Sequence, residues 1–296
     1  MPVIPFVGPT YQMEATSFDN QRCVNLYPII SESGSSKSVA ALRGTPGLSV
    51  FTNVGGGSFR GGIESANRAF FVSGDGFYEV DSDGNSTLHG TLLTPTERVD
   101  MEENPTQIMI IDGTYGYIFN KTTDTFTQIT DVNFPTPSDL TFQDGYFIVT
   151  EANSAKFWIS GLNDGTTWGA TDNTTVESSP DDVVGIISDS SNLWVLGTKS
   201  TEVFQNTGAS PFPFQRIRGA IVETGCASQY TIQEIDNAVF WLGTDANGDA
   251  ILWRSNGYSA QRVSTQAIER KIAESTDFKE SYAWVYHERG HAFYVL

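Results

Sequence analysis

The sequence is poor in cysteine, histidine and basic residues, and it contains no long hydrophobic run. Two cysteines and three histidines stand among 296 residues, so neither a disulfide scaffold nor a zinc site is expected. The absence of eighteen consecutive apolar residues excludes a membrane-spanning helix. The N-terminus lacks a basic segment ahead of an apolar one, which predicts no secretory signal. We therefore expect Cys23 and Cys226 to be reduced and buried, and a disulfide between them only if the chain ends meet.

Positive charge is scarce as well. Lysine and arginine number 17 against 35 acidic residues, which gives a net charge of −18 and a pI near 4.4. Non-specific nucleic-acid binding depends on basic side chains that neutralise phosphates, so this balance argues against it. It does not argue against a position near DNA, because an acidic wall repels phosphate and lets a duplex slide past. The acids also serve to keep a β-rich surface soluble.

Turn formers and short apolar runs are abundant. The stretch 193–226 contains three strand patterns, at 193–197, 201–206 and 214–221, with turn-forming segments between them. In the second pattern Val203 is expected to face inward and Glu202 outward. With the apolar segment 183–187 in front, the unit has four antiparallel strands, which is the composition of one blade of a β-propeller.

Similar units recur along the chain. The run that we interpret as the second strand begins at residues 69, 107, 146, 192, 238 and 291. Propeller blades of four strands repeat at about this spacing, 40–50 residues. Each run is almost continuously apolar, as expected for a strand covered on both faces. One short helix is predicted near 264–275, with Ser264 or Thr265 as its N-cap.

The predicted fold is therefore an all-β propeller of four-stranded antiparallel blades, about six or seven in number, with the last one incomplete. The blades are placed at 59–98, 99–135, 136–179, 180–225, 226–275 and, in part, 276–296. Residues 1–58 form an N-terminal arm, with strands predicted at 23–30, 38–42 and 48–54. Two ways of closing the ring stay open: the N-terminal strands complete the last blade, or the chain continues past residue 296.

Motifs that could carry chemistry have plainer structural interpretations. The segment GLNDGTTW at 161–168 resembles the Asp-box, a structural turn of sialidase-type propellers, but no repeated arginine pattern accompanies it. The acidic alternations at 81–85 and 245–249 resemble calcium loops, yet their Asp-Gly and Asn-Gly pairs favour hairpin turns. His287 and His291 flank a turn and do not suggest zinc. No catalytic, cofactor-binding or metal-binding residue is predicted.

Four polar residues in the fourth unit are candidate contacts with a partner subunit. Asp181 and Asp182 precede its first strand, and Arg216 and Arg218 lie on its outer strand. The alternative for the two acids is a turn ahead of a strand. The alternative for the two arginines is a solvated strand face.

Nine segments, taken in order, resemble the packaged-DNA stabilisation proteins of short-tailed bacteriophages, which are also called tail accessory factors or tail hub proteins. They are CVNLYP (23–28), LRGTPGL (42–48), DGYFIV (144–149), KFWISGLNDGTTW (156–168), PDDVV (180–184), LWVLGTKSTEVF (193–204), PFQRIRG (213–219), FWLG (240–243) and the stretch 261–272. The similarity covers most of the chain.

The resemblance implies a non-enzymatic virion protein of the phage tail, assembled in the host cytoplasm as a ring of six copies below the portal and its adaptor. Such a ring retains packaged DNA and carries the tail needle and the fibres or spikes. Members of the family usually continue past the equivalent of HAFYVL (291–296), which predicts further residues. The alternatives are a carbohydrate-binding or carbohydrate-active propeller, which acids and an exposed tryptophan in one pocket would favour, and a peptide-binding scaffold.

Overall fold

The computed structural model describes residues 7–8, 10–12, 20–31, 40–177, 181–245, 247–275 and 277–296. The chain divides into two compact units. The first comprises Met1–Phe51 and Ser264–Ser275, and the second comprises Thr52–Val263 and Thr276–Leu296. In the described residues each unit is built from antiparallel strands, and the one α-helix found there belongs to the first.

The first unit contains two small sheets and the helix. Strand β1 (Tyr11–Gln12) pairs with β2 (Asn20–Gln21), and β3 (Leu26–Ile30) pairs with β4 (Ala40–Gly44). Helix α1 spans Gln266–Ala273, with Thr265 as its N-cap residue in an extended conformation. The hydroxyl of Ser264, the other predicted cap, donates instead to Glu269 Oε1 at 2.6 Å.

The strand predictions for the N-terminal region are only partly correct. The strand expected at 23–30 begins at Leu26, because Asn25 has a φ of 54° and interrupts the extended chain. The strand expected at 48–54 is wrong: these residues are irregular, and Leu48 is 92% exposed. An apolar run forms a strand only where another strand offers backbone hydrogen bonds. The strand expected at 38–42 is found at β4, and residues 38–39 lie outside the described part.

The second unit contains five four-stranded antiparallel sheets and a final hairpin. Sheet 1 consists of β5 (Phe59–Ser65), β6 (Arg68–Ser73), β7 (Gly76–Val80) and β8 (Ser86–Thr91). Sheet 2 consists of β9 (Asp100–Glu103), β10 (Gln107–Ile111), β11 (Gly116–Asn120) and β12 (Thr125–Gln128). Sheet 3 consists of β13 (Pro137–Gln143), β14 (Tyr146–Glu151), β15 (Lys156–Gly161) and β16 (Asp164–Thr175).

Sheet 4 consists of β17 (Val183–Asp189), β18 (Asn192–Gly197), β19 (Thr201–Asn206) and β20 (Phe214–Val222). Sheet 5 consists of β21 (Gln233–Ile235), β22 (Ala238–Thr244), β23 (Ala250–Asn256) and β24 (Ser259–Arg262). The final hairpin pairs β25 (Trp284–Glu288) with β26 (His291–Val295). Short 3₁₀ turns occur at Gln229–Thr231 and Phe278–Glu280. The all-β fold of four-stranded antiparallel sheets with one helix is as predicted.

Successive sheets pack face to face through the alternating side chains of their second strands. On β10, Ile108 and Ile110 belong to the core shared with sheet 1, whereas Met109 and Ile111 belong to the core shared with sheet 3. The same alternation on β14 and β18 builds the cores between sheets 3 and 4 and between sheets 4 and 5. Each fully buried side chain of this size stabilises the fold by roughly 1.5–3 kcal/mol.

The acidic alternations form turns, as predicted. The carboxylate of Asp81 accepts hydrogen bonds from the backbone N–H groups of Asp83 and Asn85, at 2.9 and 2.8 Å. Asp245 makes the same two bonds within the turn 245–249. Both turns contain a glycine at positive φ, as tight turns of this kind require.

The Asp-box-like segment forms a turn that hydrogen bonds among its own residues hold together. Trp168 is buried, and its indole N–H donates to the carbonyl of Gly165 at 3.0 Å. Asp164 accepts hydrogen bonds from the N–H and the hydroxyl of Thr166 within the same turn.

Both cysteines are free; Cys226 is buried as predicted, whereas Cys23 is only half-buried.

Candidate functional site

The second unit encloses a cavity of about 310 Å³ that is bordered by the first strand of every sheet. Its wall includes residues 60–62 of β5, 100–102 of β9, 139–141 of β13 and 186–187 of β17. Gln233 of β21, the 3₁₀ turn before it, and residues 98–99 and 282–283 also line the cavity. The cavity is thus the point at which all five sheets converge, and its volume lies at the lower end of the range of small-molecule sites.

Three carboxyl groups border this cavity. Asp100 Oδ2 accepts the backbone N–H of Leu140 at 2.9 Å, and Asp139 Oδ2 accepts that of Ile186 at 2.7 Å. The two aspartate side chains are also close enough for each to affect the pKa of the other. Glu102 follows Asp100 by two residues and therefore lies on the same face of β9.

Burial favours the protonated form of all three carboxyls. Burial raises the pKa of Asp100, and it raises the pKa of Asp139 further because the charge of Asp100 adds to the effect. Burial, with a smaller contribution from Asp100, also raises the pKa of Glu102 to about 8. Of the two aspartates, Asp139 has its pKa raised the more strongly.

Aromatic rings and an arginine lie beside the carboxyls. The guanidinium of Arg98 lies 3.8 Å from the ring centroid of Tyr282 and 5.4 Å from that of Tyr230. Burial and the charges of Asp139 and Asp100 raise the pKa of Tyr230 to about 12. The segment that carries Tyr282 is held in place because Ala283 donates its N–H to the carbonyl of Tyr230 at 2.9 Å.

The arrangement is better suited to joining strands than to turning over a substrate. Each aspartate uses one carboxylate oxygen to accept a hydrogen bond from a backbone N–H of the neighbouring sheet. Among the residues that the structure describes, no group of three or more acids, histidines or cysteines is placed to hold a metal ion. The wall contains acids but no tryptophan, so the combination that would favour a carbohydrate site does not occur in this cavity.

Sequence reasoning missed these acids, although one signal could have found them. Asp100 and Asp139 are 39 residues apart, the same interval that separates the second-strand starts Gln107 and Tyr146. They therefore occupy the same position in successive units. An acid repeated at a strand position that should face the interior is a signal of a candidate functional site.

Of the predicted interface residues, Asp181 is a turn residue. It is 9% exposed, and its carboxylate accepts the backbone N–H groups of Lys199 and Ser200 at 2.6 and 3.2 Å. Its side chain thus orders the turn between β18 and β19. Asp182 is exposed, and its backbone carbonyl accepts the N–H of Thr198 at 3.1 Å.

The two arginines differ from each other, and the prediction that Glu202 faces outward is wrong. The side chain of Glu202 is only 1% exposed, and its Oε2 accepts a hydrogen bond from Arg216 Nη1 at 3.2 Å. The first four residues of β19 are covered on both faces, so the alternation of β19 does not bring its polar residue to solvent. Arg216 therefore partners a buried charge although its own side chain is 40% exposed, and Arg218 is exposed on the same strand.

This difference predicts unequal effects of removing the two charges. Arg216→Met is expected to lower the free energy of unfolding by about 1–3 kcal/mol, because the buried carboxylate of Glu202 loses a charged partner. Arg218→Met, the matched control on the same strand, should change it by no more than about 0.5 kcal/mol. Urea denaturation of the two variants measures both values, and equal stabilities would contradict the role given to Arg216.

The sequence profile of the family described as bacteriophage P22 Gp10, beta-propeller, matches residues 2–296. The chain belongs to this family. Membership confirms the resemblance to the packaged-DNA stabilisation proteins and supports a phage structural role, which favours a non-enzymatic protein of the virion. Among the described residues, no helix is long and apolar enough to span a bilayer.

Other comparisons add little. No curated protein matches the chain by sequence. Similar solved structures include the N-terminal domain of Nup159, with 8% identity over 80% of this chain and 72% of that one, at a TM-score of 0.47. BamB from Moraxella catarrhalis has 10% identity over 67% of this chain and 57% of that one, at a TM-score of 0.45. Hsv2 from Kluyveromyces lactis has 13% identity over 71% of this chain and 62% of that one, at a TM-score of 0.42. All three scores lie below 0.5, so these proteins do not inform the function of this chain.

Proposed function

We propose that the protein is a structural component of a phage tail that forms a ring below the portal and its adaptor. In this role it helps to retain the packaged DNA and carries the tail needle and the fibres or spikes. The observation that supports the proposal is membership of the P22 Gp10 family over residues 2–296. The ring is a hexamer, the copy number that the resemblance implies.

The physical properties of the chain suit such a position. Five sheets packed through four shared cores make a rigid body, and rigidity is needed in a ring that resists the pressure of packaged DNA. The net charge of −18 disfavours adhesion to a duplex that has to pass through. Specific binding of nucleic acid is not part of the proposal.

Two tests separate this function from carbohydrate binding or hydrolysis. Purified protein mixed with adaptor subunits should give a complex with six copies of this chain by native mass spectrometry. In images of the phage particle it should lie below the portal and not at a fibre tip. Hydrolysis of a polysaccharide that a single carboxylate substitution abolishes would overturn the proposal.

We also propose Asp182, which directly precedes sheet 4, and Arg218 on β20 as contacts of the ring, since both are exposed. Reversing both charges, in Asp182→Arg with Arg218→Glu, should block assembly with the adaptor and leave the melting temperature unchanged. Lys279→Glu, an exposed charge reversal outside sheet 4, is the control and should assemble normally. Normal assembly of the double variant would remove these residues from the interface.

A further inference from the structure

A short segment of the chain lies at an opening of the cavity. Residues 281–283, which we call the strap, lead into the final hairpin, and the last two of them line the cavity. Tyr282 is also 50% exposed, so the strap lies where the cavity meets solvent. A movement of the strap would therefore change the access of solvent to the cavity wall.

Hydrogen bonds attach the strap to the 3₁₀ turn before β21 and to the residue that precedes this turn. The hydroxyl of Ser228 donates to the carbonyl of Ser281 at 2.7 Å. The N–H of Ala283 donates to the carbonyl of Tyr230 at 2.9 Å. The hydroxyl of Tyr294, on β26, donates to the carbonyl of the last residue of the turn at 2.7 Å. On this side the strap and the hairpin are therefore held to sheet 5.

Arg98 holds the strap from the other side. It lies just before β9 and also lines the cavity. Its guanidinium is 3.8 Å from the ring centroid of Tyr282 and 5.4 Å from that of Tyr230, and both distances are within the range of cation–π attraction. This contact joins the segment before β9 to the segment before β25, which is far away in the sequence.

The backbone that carries Arg98 is fixed by the residues on both sides of it. Glu97 has a φ of 67°, a left-handed conformation that non-glycine residues seldom adopt. Its carbonyl accepts a hydrogen bond from Arg60 Nε at 2.6 Å, and the N–H of Val99 donates to the carbonyl of Arg60 at 3.2 Å. Such a backbone conformation persists only where its surroundings impose it. Arg60 therefore keeps Arg98 in position against the strap.

The final hairpin is held less firmly than the sheets. It has two strands where each sheet has four. In the part of the chain that the structure describes, the four apolar cores include none of its residues. Local opening occurs most readily in elements with few buried apolar contacts. The hairpin and the strap are therefore suited to open while the five sheets stay folded.

We propose that the strap and the final hairpin form a gate at the cavity, and that the contact of Arg98 with Tyr282 keeps this gate closed. The structure shows the closed state. Opening breaks the contacts of the strap with Arg98 and with the 3₁₀ turn, and it admits solvent to the carboxyls on the cavity wall. The proposal goes beyond the proposed function, because it requires neither a ring nor a partner.

Arg98→Met tests the gate by hydrogen exchange in D₂O. Methionine keeps an unbranched apolar side chain but has no charge that attracts the rings. The loss of a partly exposed cation–π contact should make opening about two- to fivefold more frequent. The amides of Ala283, β25 and β26 should exchange faster by this factor. The amides of Leu140 and Ile186, which donate to the cavity carboxyls, should follow them, because solvent reaches them through the gate.

Two further variants and a matched control make the test specific. Tyr282→Leu removes the ring from the exposed side of the contact and should accelerate the same amides, which decides the question if Arg98→Met does not fold. Arg98→Lys keeps the charge and should restore most of the protection. Lys279→Met, the control, removes an exposed charge two residues before the strap and should leave all rates unchanged.

Three results would overturn the gate. Unchanged exchange in the hairpin of both Arg98→Met and Tyr282→Leu would show that the contact does not keep it closed. Equally faster exchange throughout the second unit would show a general loss of stability. Faster exchange in the hairpin without any change at Leu140 and Ile186 would show that the hairpin does not control access to the cavity.

Discussion

Arg60→Met is expected to lower the free energy of unfolding by about 3 kcal/mol or more. The Arg60 side chain is buried, and its Nε donates to the carbonyl of Glu97 at 2.6 Å. Its Nη1 donates to the carbonyls of Gly74 and Thr94, at 2.9 and 2.6 Å. Its Nη2 donates to the hydroxyl of Thr94, which in turn donates to Asp112. Methionine fills a similar volume but leaves the carbonyls of Glu97, Gly74 and Thr94 without this donor.

Arg60→Lys is the informative companion variant. It keeps the positive charge, but an ammonium group is a compact donor that cannot match the planar fork of a guanidinium. We expect an intermediate loss of stability, measured by urea denaturation at pH 7. If the lysine variant were as stable as the parent, charge alone would account for the effect and the geometry of the three carbonyl bonds would not matter.

Trp241→Ala is expected to lower the free energy of unfolding by about 3–5 kcal/mol. Trp241 is fully buried in the core between sheets 4 and 5, and its indole N–H donates to the carbonyl of Gly225 at 3.2 Å. Alanine would leave a large void in that core and remove the donor. Chemical denaturation of the variant measures the loss.

Trp284→Ala is the matched control for this substitution. Trp284 lies on the final hairpin, is 42% exposed and stacks on Tyr286 with ring centroids 5.2 Å apart. Because little apolar surface is lost from the interior, the expected change is about 1 kcal/mol or less. A similar loss in both variants would show that the core between sheets 4 and 5 is less well packed than the structure indicates.

The sequence was most informative where a strand is covered on both faces. The apolar runs at Gln107, Tyr146 and Asn192 each became the second strand of a sheet, since such a run has no other way to bury all its side chains. The sequence was least informative where a contact with a distant segment decides whether a strand forms. Leu48 looked like a strand residue but is exposed, because β-structure depends on a neighbouring strand that the local sequence does not encode.

At the candidate site, too, local patterns were informative and contacts between distant residues were not foreseen. Glu202 was expected at the surface because charge and strand alternation agreed, yet Arg216, fourteen residues later, stabilises its buried carboxylate. The pair of Asp100 and Asp139 likewise depends on two strands from different sheets. Such contacts between distant residues are invisible to a local pattern. The ring contacts at Asp182 and Arg218 stay a prediction, which the assembly experiment tests.

The alternation of β10, β14 and β18 has a consequence for how the second unit unfolds. Each of these strands supplies side chains to two cores at once. Detaching an interior sheet therefore exposes two apolar cores, whereas detaching sheet 1 exposes one. Partial unfolding should start at an end of the row of sheets and proceed inward, because every interior opening carries about twice the hydrophobic penalty.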